Sequence, residues 1–471
     1  MEFTEKIGEE IETVETIEDI IETKTEDVIE FVKKDNFAAA RAILITMNAA
    51  DISLLFDEIP EEKYLRVFRV LPKNLAAETF SYIKVEQQQF IIESMTDREI
   101  GNIVDEMFMD DTVDFLEEMP ANIVKKVLKT TDPETRRTIN QLLKYPEDSA
   151  GSVMTTEFVD LKKEMTVRDA IRHIRATGVD KETINTCYVI DDERHLEGTI
   201  SIRKLILSQS DEIISDLMVE DPIYVYTHDD QETGTLYIKK YDFLSLPVVD
   251  AEKRLVGIIT VDDVVDIIEQ ETTEDIEMMA GMTPSDKAYT EEGVKETFKK
   301  RIFWLFLLML TATLTGGILA KFENALAVFP ALVAFIPMLM GTAGNAGGQS
   351  SVAVIRSLAL EEIEFKDILS IAWKEARVAA VCGAVMAFVC FFKVLYVDSL
   401  FTSGINVVVA IVVSLAIFTT VVLAKIVGCT LPMFAKRIGL DPAVMASPFI
   451  TTIVDALSLI IYFVIVTVVL L

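Results

Sequence analysis

The sequence predicts a multidomain membrane protein: an α-helical superhelix, an α/β domain built from a duplicated module, a connecting helix and a bundle of five membrane-spanning helices. Three observations carry that reading. Charge is partitioned, with 67 Asp and Glu against 32 Lys and Arg before Lys299, and 9 against 12 from there on. Five apolar segments follow Lys299, most of them near the ~20 residues a helix needs to cross hydrocarbon. Between these regimes, YVIDDERHLEGTIS (188–201) aligns without a gap on PVVDAEKRLVGIIT (247–260), at an offset of 59 residues.

Residues 1–25 are acidic and hold too few apolar positions to bury, so they read as a tail. They lack the apolar core of a secretory signal, which leaves the soluble part in a reducing cytosol. From 26 to 143 apolar residues recur at helical spacing, as in YLRVFRVL and IVKKVL. The acid–proline stretches FDEIPEE, RVLPKN, LEEMPAN and TTDPETR interrupt them, which predicts short helices stacked in a superhelix.

Residues 144–268 contain the repeat. Each copy reads strand, turn, strand and then a helical stretch, and duplicated units of this size stack on one another. Residues 269–301 form a connector. The run VDDVVDIIEQETTEDIE (261–277) that enters it crowds eight carboxylates onto about five helical turns. Like charges at i,i+3 and i,i+4 repel, so the run reads as a solvated face or as a face that cations bridge. YTEEGVKETFKKR (289–301) has acids early and bases late, the order that suits a helix macrodipole at the membrane surface.

Residues 302–471 hold the spans, at about 302–320, 325–340, 368–395, 407–429 and 443–471. Lys374, Glu375 and Arg377 near the start of the third predict that this end projects beyond the lipid. Lys299, Lys300 and Arg301, then Arg356 and Lys366, then Lys436 and Arg437 mark alternate connections. The positive-inside rule therefore puts the N-terminus in the cytoplasm and, after five spans, the C-terminus outside the plasma membrane.

Inside the spans, IPMLMGTAGNAGGQSS (336–351) gathers glycines around Asn345 and Gln349. Such a motif either lets helices approach closely or, helped by Pro337, breaks a helix over a cavity. On the second reading Gly344, Asn345 and Gly347 line a pore. Pro432, Pro442 and Pro448 offer similar breaks around the last span. Asp455 lies within that span, where a carboxylate costs roughly 2.5–3.5 kcal/mol on insertion scales. It either pairs with Lys425 or faces a water-filled path with Ser447, Thr451 and Thr452. A carboxylate with hydroxyls and carbonyls suits a hard, hydrated cation. Two copies across a two-fold axis would favour a divalent one.

With these residues in view, the chain resembles the MgtE family of magnesium channels. YPEDSAGSVMT (145–155), GTAGNAGGQSS (341–351) and GLDPAVMASPFITTIVD (439–455) occur in the family's order, and the repeat resembles a tandem pair of CBS modules. The resemblance implies a helical N domain, a CBS pair, a plug helix and five spans, assembled as a homodimer that conducts Mg²⁺. It gives Asp455 the role of pore carboxylate and places Asp441 near the plug helix. Asp263, Asp266, Glu271, Glu274 and Asp275 become Mg²⁺ sensors, and Asp230 and Asp242 join them by spacing alone. CBS pairs often bind adenine nucleotides. Thr260 in Thr-Val-Asp-Asp resembles a ribose-holding motif and Phe243 an adenine stacker, so ATP is an expected ligand. Gly348 and Ser447 depart from the family pattern, each standing where an asparagine is expected.

The mechanism this implies is feedback: cytosolic Mg²⁺ bridges the acidic faces and closes the pore. Two alternatives are a secondary carrier for Mg²⁺ or Co²⁺ and a membrane-anchored nucleotide sensor without transport. The acidic balance excludes nucleic acid as a partner. Four scattered cysteines and three histidines give no zinc, disulfide or nucleophile–base pattern, so an enzyme is not expected.

Overall fold

A computed structural model describes residues 17–285, 289–290, 292–401, 404–445 and 447–470; the side chains of 17–19, 324–326 and 447 fall outside that description. The chain divides into two compact units, residues 1–267 and 268–471.

The first unit begins with ten helices: α1 (Ile17–Lys33), α2 (Phe37–Leu44), α3 (Ala49–Leu54), α4 (Glu61–Val70), α5 (Lys73–Tyr82), α6 (Val85–Ser94), α7 (Asp97–Val104), α8 (Met109–Glu117), α9 (Ala121–Thr130) and α10 (Pro133–Leu142). Residues 1–16 of the expected acidic tail lie outside the described residues, and α1 starts within the remainder of it. The acid–proline stretches become helix starts. Pro60, Pro72 and Pro120 are N-caps, and Asp132 caps α10 by accepting from the Glu134 and Thr135 amides ahead of Pro133 at N1. Thr96 and Glu99 form a reciprocal capping box on α7. Alternate helices stack, α3 on α5 on α7 on α9 and α2 on α4 on α6, which is the predicted superhelix. Side chains about one repeat apart tie the layers, as in Arg69 to Glu99 at 2.7 Å and Lys84 to Asp57 at 3.1 Å.

Two small sheets follow. The first contains β1 (Asp160–Leu161), then α11 (Val167–Thr177), β2 (Thr186–Ile190), β3 (Leu196–Ser201), α12 (Ile202–Leu207), α13 (Ile214–Leu217) and β4 (Val219–Glu220). The second contains β5 (Val225–Tyr226), α14 (Gln231–Tyr241), β6 (Ser245–Val249) and β7 (Leu255–Thr260). The offset of 59 extends to backbone detail. Both hairpins carry a register shift, after Val189 and after Val248. Arg194 and Lys253 both adopt positive φ, 70° and 65°. Asp191 and Asp250 each accept two turn amides in the same pattern. The hairpins also pair with each other, His195 opposite Arg254, and Tyr188 shares a 2.7 Å hydrogen bond with Ser245 in a buried contact.

α15 (Val261–Met279) runs from the first unit into the second and is followed by Gly281, whose φ of +71° favours glycine and where an added Cβ would lie 2.9 Å from Pro448. The second unit continues with α16 (Val294–Lys321), α17 (Glu323–Val328), α18 (Ile336–Ala359), α19 (Ile368–Phe392), α20 (Val407–Arg437) and α21 (Ser447–Leu470). Among the described residues five segments are long and apolar enough to span a membrane: 294–321, 330–359, 365–400, 407–437 and 443–470.

The second span differs from expectation. It lies deeper in the sequence than 325–340, and the glycine-rich motif sits inside the continuous helix α18. Hydrocarbon offers the backbone no hydrogen-bond partner, so a glycine run keeps its helical bonds there despite poor propensity. Pro432 likewise stands inside α20 without ending it. The core of this unit lies among α18, α20 and α21. No residue of α16 is buried.

Candidate cation path and acidic faces

Asp455 enters α21 two turns after Pro448, flanked by residues that fix the helix against its neighbours. On α18, a Cβ added at Gly344 would lie 3.1 Å from Thr451, and one at Gly347 3.0 Å from Ile450 and 3.3 Å from Val454. These two glycines, expected to line a pore, are buried packing positions within the protomer. Thr452 donates to the Pro448 carbonyl at 3.0 Å and stands 3.5 Å from Thr311 of α16. Ser447 begins the helix, but its side chain lies outside the described residues.

Asp455 Oδ1 is enclosed and has no hydrogen-bond partner among the described residues. A buried polar atom left so is uncommon and calls for an explanation. The alternative partner is committed elsewhere. Lys425, 7 % exposed on α20, donates to Ser350 Oγ at 3.3 Å and lies 3.9 Å from Glu375 of α19. Ser350 in turn donates to Glu375 at 2.7 Å. Glu375 therefore turns inward and ties the start of the third span into the bundle. Asp455 has no ion-pair partner among the described residues. Asn345, Gln349, Gly341 and Val352 share the neighbouring face of α18 and are exposed. Asn345 is thus the pore candidate of that motif with an open side chain.

A second concentration of acid lies in the first unit. Asp263, at the start of α15, accepts from the Thr260 hydroxyl at 2.5 Å. Around it stand residues that the sequence reading missed: Asp110, Asp111 and Asp114 of α8, and Glu182 from the loop before β2. Burial, reinforced by Asp263 and Asp111, pushes the Asp110 carboxyl well above its ordinary range. Burial with Asp263 and Asp262 raises Asp111 to about 6. Burial with Glu117 and Asp111 raises Asp114 to about 7, and burial with Asp262 and Asp263 raises Glu182 to about 8. Asp263 itself is raised to about 6, burial outweighing the Thr260 hydrogen bond. One Glu182 oxygen is enclosed without a partner. The acid run FMDDTVDFLEE (108–118) was visible in the sequence. Its meeting with residues 150 positions later was not.

In the second unit, burial and the charge of Asp441 raise the Asp275 carboxyl. Asp441 accepts from the Ala443 amide at 2.7 Å, and Met278 and Met279 pack on the cluster of Ile355 and Ala443. Asp266, Glu271 and Glu274 share α15 with Asp263 and Asp275. Asp230 and Asp242 are the N-cap and the left-handed C-cap of α14. Phe243 is half-buried and stacks on Tyr241 with centroids 5.5 Å apart, while the Thr260 hydroxyl is taken by Asp263. Among the described residues no three His, Cys, Asp or Glu side chains converge on one metal position. Bridging by a hydrated ion, through water, remains open to pairs of carboxylates at longer range.

Comparison with known proteins places these features in context. A family profile described as divalent cation transporter, MgtE, matches residues 336–465; the MgtE intracellular N domain matches 47–148, and CBS domains match 150–211 and 214–270. The chain is 35 % identical over 437 residues to a magnesium transporter MgtE of Thermus thermophilus, covering 92 % of this chain and 95 % of that one. It is 32 % identical to a magnesium transporter MgtE of Bacillus subtilis, covering 90 % and 92 %. Among solved structures, the cytosolic domain of the Mg²⁺ channel MgtE in complex with ATP is similar with TM-score 0.50 and 35 % identity, covering 52 % of this chain and 99 % of that one. The soluble part of a magnesium transporter gives TM-score 0.51 and 31 % identity, covering 53 % and 99 %.

Proposed function

The chain belongs to the MgtE family of divalent cation transporters, multi-pass membrane proteins that carry Mg²⁺, and from that premise we propose a Mg²⁺-selective channel that admits the ion through the plasma membrane and is shut by Mg²⁺ on the cytosolic side. The observation that carries this reading is Asp455, an acid inside a span whose Oδ1 has no partner while the nearby cation, Lys425, is neutralised elsewhere. A carboxylate so placed attracts a hard cation and holds it through retained water.

The chain assembles as a homodimer in this proposal, with two copies of Asp455 facing one path. The exposed polar face of α18, Asn345 and Gln349, supports that arrangement, because amides turned to lipid would lack partners. So does α16, none of whose residues is fully buried within the protomer. The N-terminus lies inside and the C-terminus outside, following the lysines and arginines of the connections.

Closure uses the acids of the cytosolic part. Asp110, Asp111, Asp114, Glu182 and Asp263 repel one another when no cation is present. Asp275 and Asp441 do the same beside the membrane unit. Hydrated Mg²⁺ binding between such groups favours the arrangement that brings them together, and several sites acting at once make the response steep. Asp230 and Asp242 contribute as caps of α14 before any role with the ion.

The CBS pair takes ATP, by similarity to the relative solved with that nucleotide. Phe243, half-buried and stacked on Tyr241, is the ring assigned to the adenine. Calorimetry with Phe243→Ala tests it, and unchanged ATP affinity removes Phe243 from the site.

The test of the main proposal is Mg²⁺ uptake into proteoliposomes. Asp455→Asn keeps the shape of the side chain and removes its charge, and flux is expected to fall to background with normal assembly. Wild-type flux in that variant would refute the reading. Flux that needs a proton or sodium gradient would replace the channel by a carrier.

A further inference from the structure

The end of α15 and the start of α16 enclose a polar cleft within the second unit. After Gly281 the chain turns back, and the Thr283 amide donates to the Lys300 carbonyl at 3.2 Å. The cleft is lined by Glu277, Thr283, Glu292, Thr297, Lys300 and Arg301, among others, and its cavity volume is about 50 Å³. That corresponds to roughly four waters, enough for a small polar group.

Its lining has both signs of charge, and the pairing is incomplete in a specific way. Glu292 and Lys300 form an ion pair, and Thr297 donates to Glu292 at 3.1 Å. Glu277 and Arg301 remain. Among the described residues Glu277 Oε2 is enclosed without a hydrogen-bond partner and Arg301 has no ion pair. Among the described residues, one carboxylate oxygen without a hydrogen bond and one guanidinium without an ion pair therefore line the same cleft. A free divalent cation would meet Lys300 and Arg301 there, and a simple anion would meet Glu277 and Glu292. A zwitterion that carries an ammonium and a phosphate meets a partner at each end.

The cleft's place in the chain narrows the source. Arg301 is followed at once by the apolar run of α16, and the next turn exposes Phe303, Leu305 and Phe306 at 64, 60 and 54 %. This is the depth at which a lipid's polar group meets its acyl chains. We propose that the cleft binds the headgroup of an aminophospholipid, its primary ammonium donating to Glu277 and its phosphate accepting from Arg301 and the Thr283 hydroxyl. The acyl chains lie along the uncovered side of α16. A choline headgroup has no N–H to donate to Glu277, so the site discriminates between the two common zwitterionic classes.

The experiment uses the full chain in nanodiscs made of equal phosphatidylethanolamine and phosphatidylcholine, with retained lipids counted by native mass spectrometry. The wild type should retain phosphatidylethanolamine in preference by roughly tenfold, the order set by charge-assisted hydrogen bonds. Glu277→Gln and Arg301→Gln should each bring retention to the bulk ratio, whereas Arg301→Lys keeps part of the preference. Equal retention of both lipids by the wild type overturns the proposal whether or not the variants fold, as does an undiminished preference in folded variants. Soluble phosphoethanolamine is the control ligand in detergent: if it saturates the cleft and lipid does not, the source is a soluble metabolite and the lipid assignment fails.

Discussion

Lys425 and Asp455 are charged residues on adjacent helices of the membrane unit, and their surroundings treat them differently. The Lys425 ammonium has an acceptor on α18 and a carboxylate on α19. Removing one member of such a pair leaves the other buried and uncompensated, which typically costs about 3–5 kcal/mol. Lys425→Met should therefore lower thermal stability in detergent and broaden the size-exclusion peak. Lys425→Met with Glu375→Gln should recover most of the loss, because Ser350 can still hydrogen-bond the amide. Full stability in the single mutant would show that the triad is not a structural tie. Asp455 was recognisable in the sequence because an acid stands out in an apolar run. The triad was not, since its members lie 25 and 75 residues apart and each has an ordinary sequence context.

At the scale of elements, the glycines of α18 and α20 divide into two groups. A Cβ built on Gly428 would sit 2.2 Å from the Gly347 carbonyl oxygen, so the α18–α20 crossing exists only because that position has no side chain. Gly428→Ala should force the helices apart and destabilise by roughly 1–3 kcal/mol, the range for overpacking. Gly341→Ala and Gly348→Ala meet nothing within 4 Å in their own chain, so they should leave the protomer's melting temperature unchanged while remaining free to affect flux. The sequence presented close packing and helix breaking as open alternatives for this motif. Composition alone does not separate them, because the deciding contacts come from α20 and α21.

The acidic face of the first unit also acts as an element. Asp111, Asp114, Glu182 and Asp263 have folded values of about 6, 7, 8 and 6, against roughly 4 for an unfolded carboxyl. The folded state therefore holds extra protons. The stability this confers is complete below about pH 4 and is lost as pH rises through about 6 to 8. In Mg²⁺-free buffer, amide-exchange protection of α8, corrected for intrinsic rate, should fall as pH is raised across that window. Saturating Mg²⁺ should flatten the dependence, and an equal slope with and without Mg²⁺ would separate the cluster from the ion.

For the whole molecule, sequence and structure agree where information is local or periodic. The proline punctuation became helix starts, and the offset of 59 reappears in strand limits, turn hydrogen bonds and two positive-φ residues. What escaped was distance in the chain: α8 meeting α15's first turn, and Glu375 meeting Lys425. The proposed regulation belongs to this scale because it would act through several acids at once. Neutralising Glu271, Glu274 and Asp275 together should leave uptake running when internal Mg²⁺ is high, with little change when it is low. The measurement is proteoliposome flux against luminal Mg²⁺, and unaltered inhibition would remove these residues from the gate.

α16 buries none of its residues within its own chain, which bears on how the protein is made. The first hydrophobic stretch to leave the ribosome touches the last span, Thr311 beside Thr452, yet the four that follow leave none of its residues fully covered. In the proposed dimer its final seat depends on a second polypeptide, so maturation is concentration-dependent, and excess copies of an Asp455 variant should poison uptake by the normal protein through mixed pairs.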